Sequence, residues 1–326
     1  MRAIVIERPG GPDVLRLGEL PDPIPGPGEL LVRIRATALN RLDLAQREGR
    51  YPVPPGAPAT LGVEMAGEVA GWGDGVSGWS RGDRVCALLL GGGYAEMVTF
   101  PAAMAIRLPA NLAYKEASAI PEVFLTAYLN LFTLGGLAPG AFALIHAGAS
   151  GVGTAAIQLA RECGAQAIVT VGSAVKAARC LELGAVAAIN YHDGPFEPQV
   201  KEVTGGRGVD VILDMVGAPY WEQNLACLVP AGRLILVSAL GGTAVNLNLG
   251  AIQAKRARVF GTMLRPLPLS EKITLVEQFK DFALQRFADG RLRSIVDRVY
   301  SLEEAPEAHR YMQSNANIGK IVLRVP

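Results

Sequence analysis

The sequence predicts an α/β protein in which a β-rich region precedes a doubly wound parallel sheet, and three observations carry that prediction. From Ala141 onward, short apolar runs alternate with helical patterns, which is the grammar of βαβ units. A glycine turn joins the first of those runs to the helix after it. The first hundred residues instead read as strands separated by Pro and Gly clusters. At 326 residues the chain exceeds the usual domain of about 100 to 200 residues, so two domains are expected.

Taken in order, Ala3 to Ile6 is an apolar run before Glu7 and Arg8, too short for the core of a signal peptide. Leu31–Thr37 alternates apolar and polar residues, Gly67–Ala70 begins a second strand, and Gly82–Ala87 reads as a turn into a third. No Asp, Glu, Lys or Arg occurs between Glu122 and Arg161, which is long enough to suggest a membrane helix. Gly135, Gly136, Pro139 and Gly140 break that stretch, so helix, turn, buried strand and glycine turn are expected there. Strands are expected near 142–147, 167–171, 186–190, 209–213 and 232–238. Ser270 opens an amphipathic helix ending at Asp289–Gly290, and Leu292–Tyr300 is strand-like. Ser301–Glu304 is a capping box opening another helix, and Ile318–Val325 is the last strand.

Composition narrows the partners. Thirty-one Lys and Arg against 30 Asp and Glu, spread without basic blocks, leave a net charge of +1, so neither nucleic acid nor a membrane is an expected partner. A hydrophobic share of 50% supports a sizeable core, and 38 glycines with 22 prolines imply many tight turns. Cys86, Cys163, Cys180 and Cys227 form no CxxC pair, and His146, His192 and His309 have no metal-ligand spacing. A reduced, cytoplasmic chain with no metal is expected.

The strand ending at Ala147 runs into Gly148-Ala-Ser-Gly-Val-Gly153 and then a helix. Glycine permits the turn and a close backbone approach, while free N–H groups and the positive end of the helix hold a pyrophosphate. Ser150 replaces the middle glycine of the GxGxxG pattern. A glycine turn alone could serve packing, but the strand, turn and helix order is the one a dinucleotide needs, through Gly148, Ser150, Gly151, Val152 and Gly153. An NAD site places an acidic residue about 20 positions on. Here Gly172 and Ser173 stand at that place; Ser173 can cap a helix over Ala174–Leu183, and Lys176 follows three residues later. A 2′-phosphate fits this better than a pair of hydroxyls, so NADPH is the expected cofactor. On its own Lys176 would read as a solvated helix lysine. Tyr191 could close the adenine side or simply cover a strand end.

Leu39-Asn-Arg-Leu-Asp43, Gly82-Asp-Arg-Val85, Ala119-Ile-Pro-Glu122, His146–Gly153 and Asn317-Ile-Gly-Lys-Ile-Val322, in this domain order, resemble the medium-chain dehydrogenase/reductase family and its quinone oxidoreductase branch. The resemblance covers the whole chain. Ser150, Gly91–Gly93 and Val216–Glu222 are most similar to the tumour-suppressor-inducible group within that branch. It implies a GroES-like catalytic domain over 1–122 and 265–326, a Rossmann NADPH-binding domain over 123–264, an active-site cleft between them, and a homodimer. Ala147, Val216, Ser238, Leu240, Leu264 and Lys320 are then expected on the cofactor, and Asn40, Tyr51 and Thr126 near the nicotinamide or the acceptor. Asn40 could instead cap a turn, Tyr51 pack the loop after Arg50, and Thr126 bond back within its helix. The catalytic zinc ligands of alcohol dehydrogenases in this family correspond to Asn40, Val63 and Glu122, which cannot make that site.

Without a Lewis acid the expected acceptor is already electrophilic, as a quinone is. Reduction of an activated C=C bond in an enone or enoyl thioester is the alternative. A nucleotide- or RNA-binding role without catalysis is a third reading, against which the neutral charge and the lack of aromatic-basic interleaving argue.

Overall fold

A computed structural model describes the whole chain, Met1–Pro326, and contacts divide it into two compact units, Met1–Leu125 with Arg265–Pro326, and Thr126–Leu264.

The first unit is organised around the ten-residue strand Glu29–Ala38, which pairs antiparallel with Lys320–Arg324, Glu64–Trp72 and Met97–Pro101. Arg84–Leu88 and Ile106–Arg107 extend the sheet on one side and Val296–Ser301 on the other. The alternation read in the sequence buries Leu30, Val32 and Ile34 completely, as expected of a sheet with one face on a core. Arg2–Val5 and Arg16–Glu19 form a separate antiparallel ribbon. The helix Leu269–Ala288 buries Leu275, Val276, Phe279, Ala283 and Phe287, one stripe at helical spacing. Its Phe287 ring meets Phe124 edge-on at 5.0 Å. Ser301 opens a turn over Leu302–Glu304, its N–H donating to Glu304 Oε2 at 2.7 Å, and the helix Ala305–Gln313 follows.

The second unit is a six-stranded, wholly parallel sheet in the order Ala187–Asn190, Gln166–Val171, Phe142–Ile145, Val209–Asp214, Leu228–Leu236, Arg258–Gly261. Leu144, Ile168, Ile212 and Leu234, all fully buried, form its middle. Strand order reverses beside Phe142–Ile145, so the connections on its two sides leave in opposite directions and a crevice opens at the strands' carboxyl ends.

Three expected elements lie differently, and Arg258–Gly261 is a sixth parallel strand that the sequence did not suggest. The strand expected over 232–238 is Leu228–Leu236, because Pro230-Ala-Gly232 is not a turn: pairing jumps from Val209↔Leu228 to Val211↔Arg233, and the extra residues bulge out with Ala231 at a φ of 62°. The strand-like Leu292–Tyr300 is ordered as a strand only over Val296–Ser301. The uncharged stretch contains the helix Pro121–Tyr128 and then a wider π-helical segment, Leu129–Leu134, where the Asn130 side-chain amide donates to Thr126 O at 2.7 Å. The window Tyr114–Leu134 is apolar and long enough to cross a membrane, but 72% of it is buried inside the protein, as a core helix would be.

Candidate functional site

At the end of Phe142–Ile145, Ala147 turns with a φ of 51°, a left-handed conformation rare for residues with side chains. The turn after it is close-packed: a Cβ on Gly148 would stand 2.5 Å from Val169 Cβ, and one on Gly153 would stand 2.4 Å from the carbonyl oxygens of Ala147 and Gly148. Ser150 caps the helix Gly151–Glu162, its Oγ accepting from Gly153 N–H at 3.0 Å. Gly151 and Val152, the first helical residues, have no intrahelical acceptor for their N–H groups. These donors and the helix dipole fit a pyrophosphate.

At the next strand's end, Ser173 caps the helix Ala174–Glu182, accepting from Lys176 N–H at 3.4 Å. A Cβ on Gly172 would lie 2.4 Å from the Tyr191 hydroxyl, so only glycine lets that phenol sit there. Tyr191 is 42% exposed and its ring lies 4.5 Å from that of His192. Val216 follows Val209–Asp214, and its carbonyl accepts from Gly241 N–H at 2.8 Å, which ties it to the loop holding Ser238 and Leu240. Leu264, 6% exposed, follows Arg258–Gly261. Thus every candidate cofactor residue of this unit stands at a carboxyl end of the parallel sheet, and the residues fit a dinucleotide. Beneath the turn, buried His146 bridges Thr170 Oγ1 at 2.9 Å and Asn224 Oδ1 at 2.6 Å, while Asn224 Nδ2 donates to Asp214 Oδ2 at 3.0 Å. Asn224 therefore presents its oxygen to the ring, so Nε2 carries the proton and Nδ1 accepts from Thr170. Burial lowers the pKa of His146 and keeps it neutral.

The first unit holds a buried polar cluster that pattern reading did not assemble. Glu64, fully buried in its strand, accepts at Oε1 from Asn40 Nδ2 and Lys320 Nζ, both at 2.8 Å, and at Oε2 from Glu122 N–H at 2.8 Å. Lys320 Nζ also donates to Leu39 O and, at 2.6 Å, to Asn40 Oδ1. Lys320, expected on the cofactor, is 3% exposed and its three ammonium protons meet three protein oxygens, Glu64 Oε1, Leu39 O and Asn40 Oδ1. The Asn40 amide gives its second proton to Ala38 O at 3.3 Å. Asn40 can therefore accept one more hydrogen bond at Oδ1 and cannot donate one.

Asp43, on the helix Arg41–Arg47, accepts from Asn40 N–H at 2.8 Å, Gly62 N–H at 3.3 Å and the Tyr94 hydroxyl at 3.3 Å. His309 Nε2 lies 3.2 Å from that hydroxyl, and Arg47 donates to His309 Nδ1 at 3.0 Å. Arginine can only donate, so Nδ1 accepts, Nε2–H donates to the Tyr94 oxygen, and Tyr94 O–H donates to Asp43. Burial, reinforced by the Arg47 charge, pushes His309 down to about 3; burial pushes Asp43 up to about 6. Glu122 Oε2 is buried with no hydrogen-bond partner, and burial, followed by the Glu64 charge, pushes that carboxyl up to about 8.

Tyr51 lies with its ring centroid 5.5 Å from the Arg265 guanidinium, and burial raises its pKa above 10 in spite of that charge, so it stays a neutral phenol. Thr126, 6% exposed, belongs to the second unit, with its carbonyl taken by Asn130. Arg265 had no signal in the sequence. Glu64 had one, a charged residue inside an apolar strand pattern.

Residues 26–110 match the alcohol dehydrogenase GroES-like domain, and residues 183–323 match the zinc-binding dehydrogenase domain. The chain is 34% identical to the synaptic vesicle membrane protein VAT-1 homolog of Rattus norvegicus, over 99% of this chain and 84% of that protein. A solved NAD-dependent alcohol dehydrogenase is similar with a TM-score of 0.89, at 34% identity, covering all of both chains. Escherichia coli quinone oxidoreductase complexed with NADPH is similar with a TM-score of 0.89, at 33% identity, over 99% of this chain and 100% of that one. The zinc in the second domain's description does not fit these residues: no three His, Cys, Asp or Glu side chains are placed to hold a metal ion. At the three positions compared, Asn40 is a neutral amide whose oxygen already accepts from Lys320, Val63 is apolar, and Glu122 offers a single carboxyl.

Proposed function

The chain belongs to the medium-chain dehydrogenase/reductase family of oxidoreductases, and from that membership we propose that it reduces quinones with NADPH and without a metal. The observation that carries the cofactor half is the end of Gln166–Val171, where Gly172 and Ser173 stand at the place of a carboxylate and the helix N-terminus and Lys176 follow. A 2′-phosphate would gain helix N–H groups and an ammonium there, whereas a pair of ribose hydroxyls would miss its acceptor. When bound, NADPH supplies a hydride. Ala147 to Gly153 hold its pyrophosphate, and Gly172, Ser173, Lys176 and Tyr191 hold its adenosine end; Val216, Ser238, Leu240 and Leu264 line the remaining strand ends. Asn40, Tyr51 and Thr126 are assigned to the nicotinamide and acceptor end. Asn40 acts there as an acceptor for a ligand N–H or O–H, held by Lys320 and Glu64. A quinone carbonyl needs no Lewis acid, and its reduced oxygen takes a proton from water.

Lys176→Ala should raise the NADPH KM about 10- to 100-fold, the effect of losing a charge-assisted hydrogen bond, and leave the NADH KM nearly unchanged. Equal effects on both nucleotides would remove the 2′-phosphate assignment. The activity itself is tested by following NADPH oxidation with ortho-quinones, para-quinones and enones. Quinone turnover is expected, and a protein that turns over enones alone would overturn the reading. Tyr51→Phe should lower kcat by less than the ~10²-fold typical of an essential general acid. A larger loss confined to kcat, with NADPH affinity intact, would make Tyr51 a proton donor and shift the reading to C=C reduction.

A further inference from the structure

Within the unit formed by Met1–Leu125 and Arg265–Pro326 lies a cavity of about 340 Å³. Leu88, Phe100 and Met104 wall it, each no more than 4% exposed. Two buried cations share this apolar lining, Arg265 at 3% and Lys272 at 6% exposure. Arg265 reaches only neutral acceptors, Leu90 O at 2.9 Å, Gln46 Oε1 at 2.8 Å and the Tyr51 hydroxyl. Lys272 Nζ donates to Arg265 O at 3.2 Å and makes no ion pair with a carboxylate. The carboxyls of Glu122 and, for Arg265, Asp43 act on these cations only from a distance; two cations buried on an apolar wall with no anion in contact are costly, and the cost falls if a negative charge enters with them.

We infer that this cavity binds a small amphipathic monoanion, its apolar body against Leu88, Phe100 and Met104 and its carboxylate or equivalent group on Lys272 and Arg265. The volume is at the lower end of small-molecule sites, which run from about 300 to 1,000 Å³. Burial, and then the Arg265 charge, lower the Lys272 pKa, the condition an incoming anion would reverse. Arg265 also meets Tyr51, so the cavity adjoins the acceptor end proposed above, but anion binding requires neither nucleotide nor turnover and is measured without them.

Calorimetric titration of the full chain with octanoate and with octanol tests it. Octanoate should bind with one-to-one stoichiometry and at least ~10-fold more tightly than octanol, since only the acid offers a charge-assisted partner. Lys272→Met should weaken octanoate at least ~10-fold, leave octanol within about 3-fold, and melt no lower than the parent protein, because it replaces an unpaired buried charge with an apolar chain of similar length. The proposal is overturned if octanoate does not bind, if acid and alcohol bind alike, or if a folded Lys272→Met protein binds octanoate unchanged. Should that variant fail to fold, the comparison of acid and alcohol on the parent protein decides alone.

Discussion

Glu64→Gln is expected to destabilise the protein by about 3 to 5 kcal/mol, the range for breaking a buried ion pair from one side. The substitution keeps the shape of the side chain but leaves the Lys320 ammonium, 3% exposed, among neutral oxygens. It also removes the carboxylate that anchors Asn40 Nδ2 and Glu122 N–H. Urea unfolding measures the loss, and adding Lys320→Met to the variant should recover most of it, because the double replacement leaves no unpaired charge. A single-variant loss below about 1 kcal/mol would mean that water reaches the pair, contrary to the burial described.

The second large effect is on pH dependence. The Glu122 carboxyl is held at about 8 in the folded protein, against an ordinary value of 4.5. A folded-state pKa raised in this way contributes stability that is fully present below about 4.5 and is lost as pH rises through 8, since the unfolded chain sheds the proton first. The slope is about 1.4 kcal/mol per pH unit within that window, so up to about 4 kcal/mol is lost between pH 5 and pH 8. Glu122→Gln cannot ionise, and its stability should match the parent at pH 4.5 and exceed it by about 2 to 4 kcal/mol at pH 8.5. Parallel stability curves for the two proteins would show that Glu122 ionises normally.

Five of the six parallel strands were legible because they contain apolar runs bounded by turn signals, and Ser150 and Ser173 stand at helix starts where their hydroxyls cap the first turn; Arg258–Gly261, opening on an arginine, carried no such run and was not expected. Errors at element ends came where local signals conflict with tertiary pairing. Pro230-Ala-Gly232 has turn composition, yet the strand continues through it because Leu228 and Arg233 both pair with the neighbouring strand. The acceptor side was the less legible half. Asn40 could be singled out only by resemblance, and the partners that define it lie 24 and 280 residues away. No window contains both Arg47 and His309, 262 residues apart, so their contact has no sequence period to reveal it. The buried partners of Lys320 were not legible for the same reason: a lysine in a strand pattern gives no sign that a carboxylate far back in the chain waits for it.

The last-strand position of Lys320 has a consequence for biosynthesis. The nucleotide unit is continuous from Thr126 to Leu264 and can close as soon as that segment leaves the ribosome. The unit around Glu29–Ala38 cannot, because a neighbouring strand, the cation for Glu64 and the histidine that orients Tyr94 all come from residues after 295. Until they arrive, Glu64 would have to be buried with no counter-charge, which keeps the early segment open. The segment made first is thus completed last, and through the whole synthesis of the nucleotide unit it presents, at the end of its long strand, the unpaired edge Ala36–Ala38 that a chaperone, or another nascent chain, can engage.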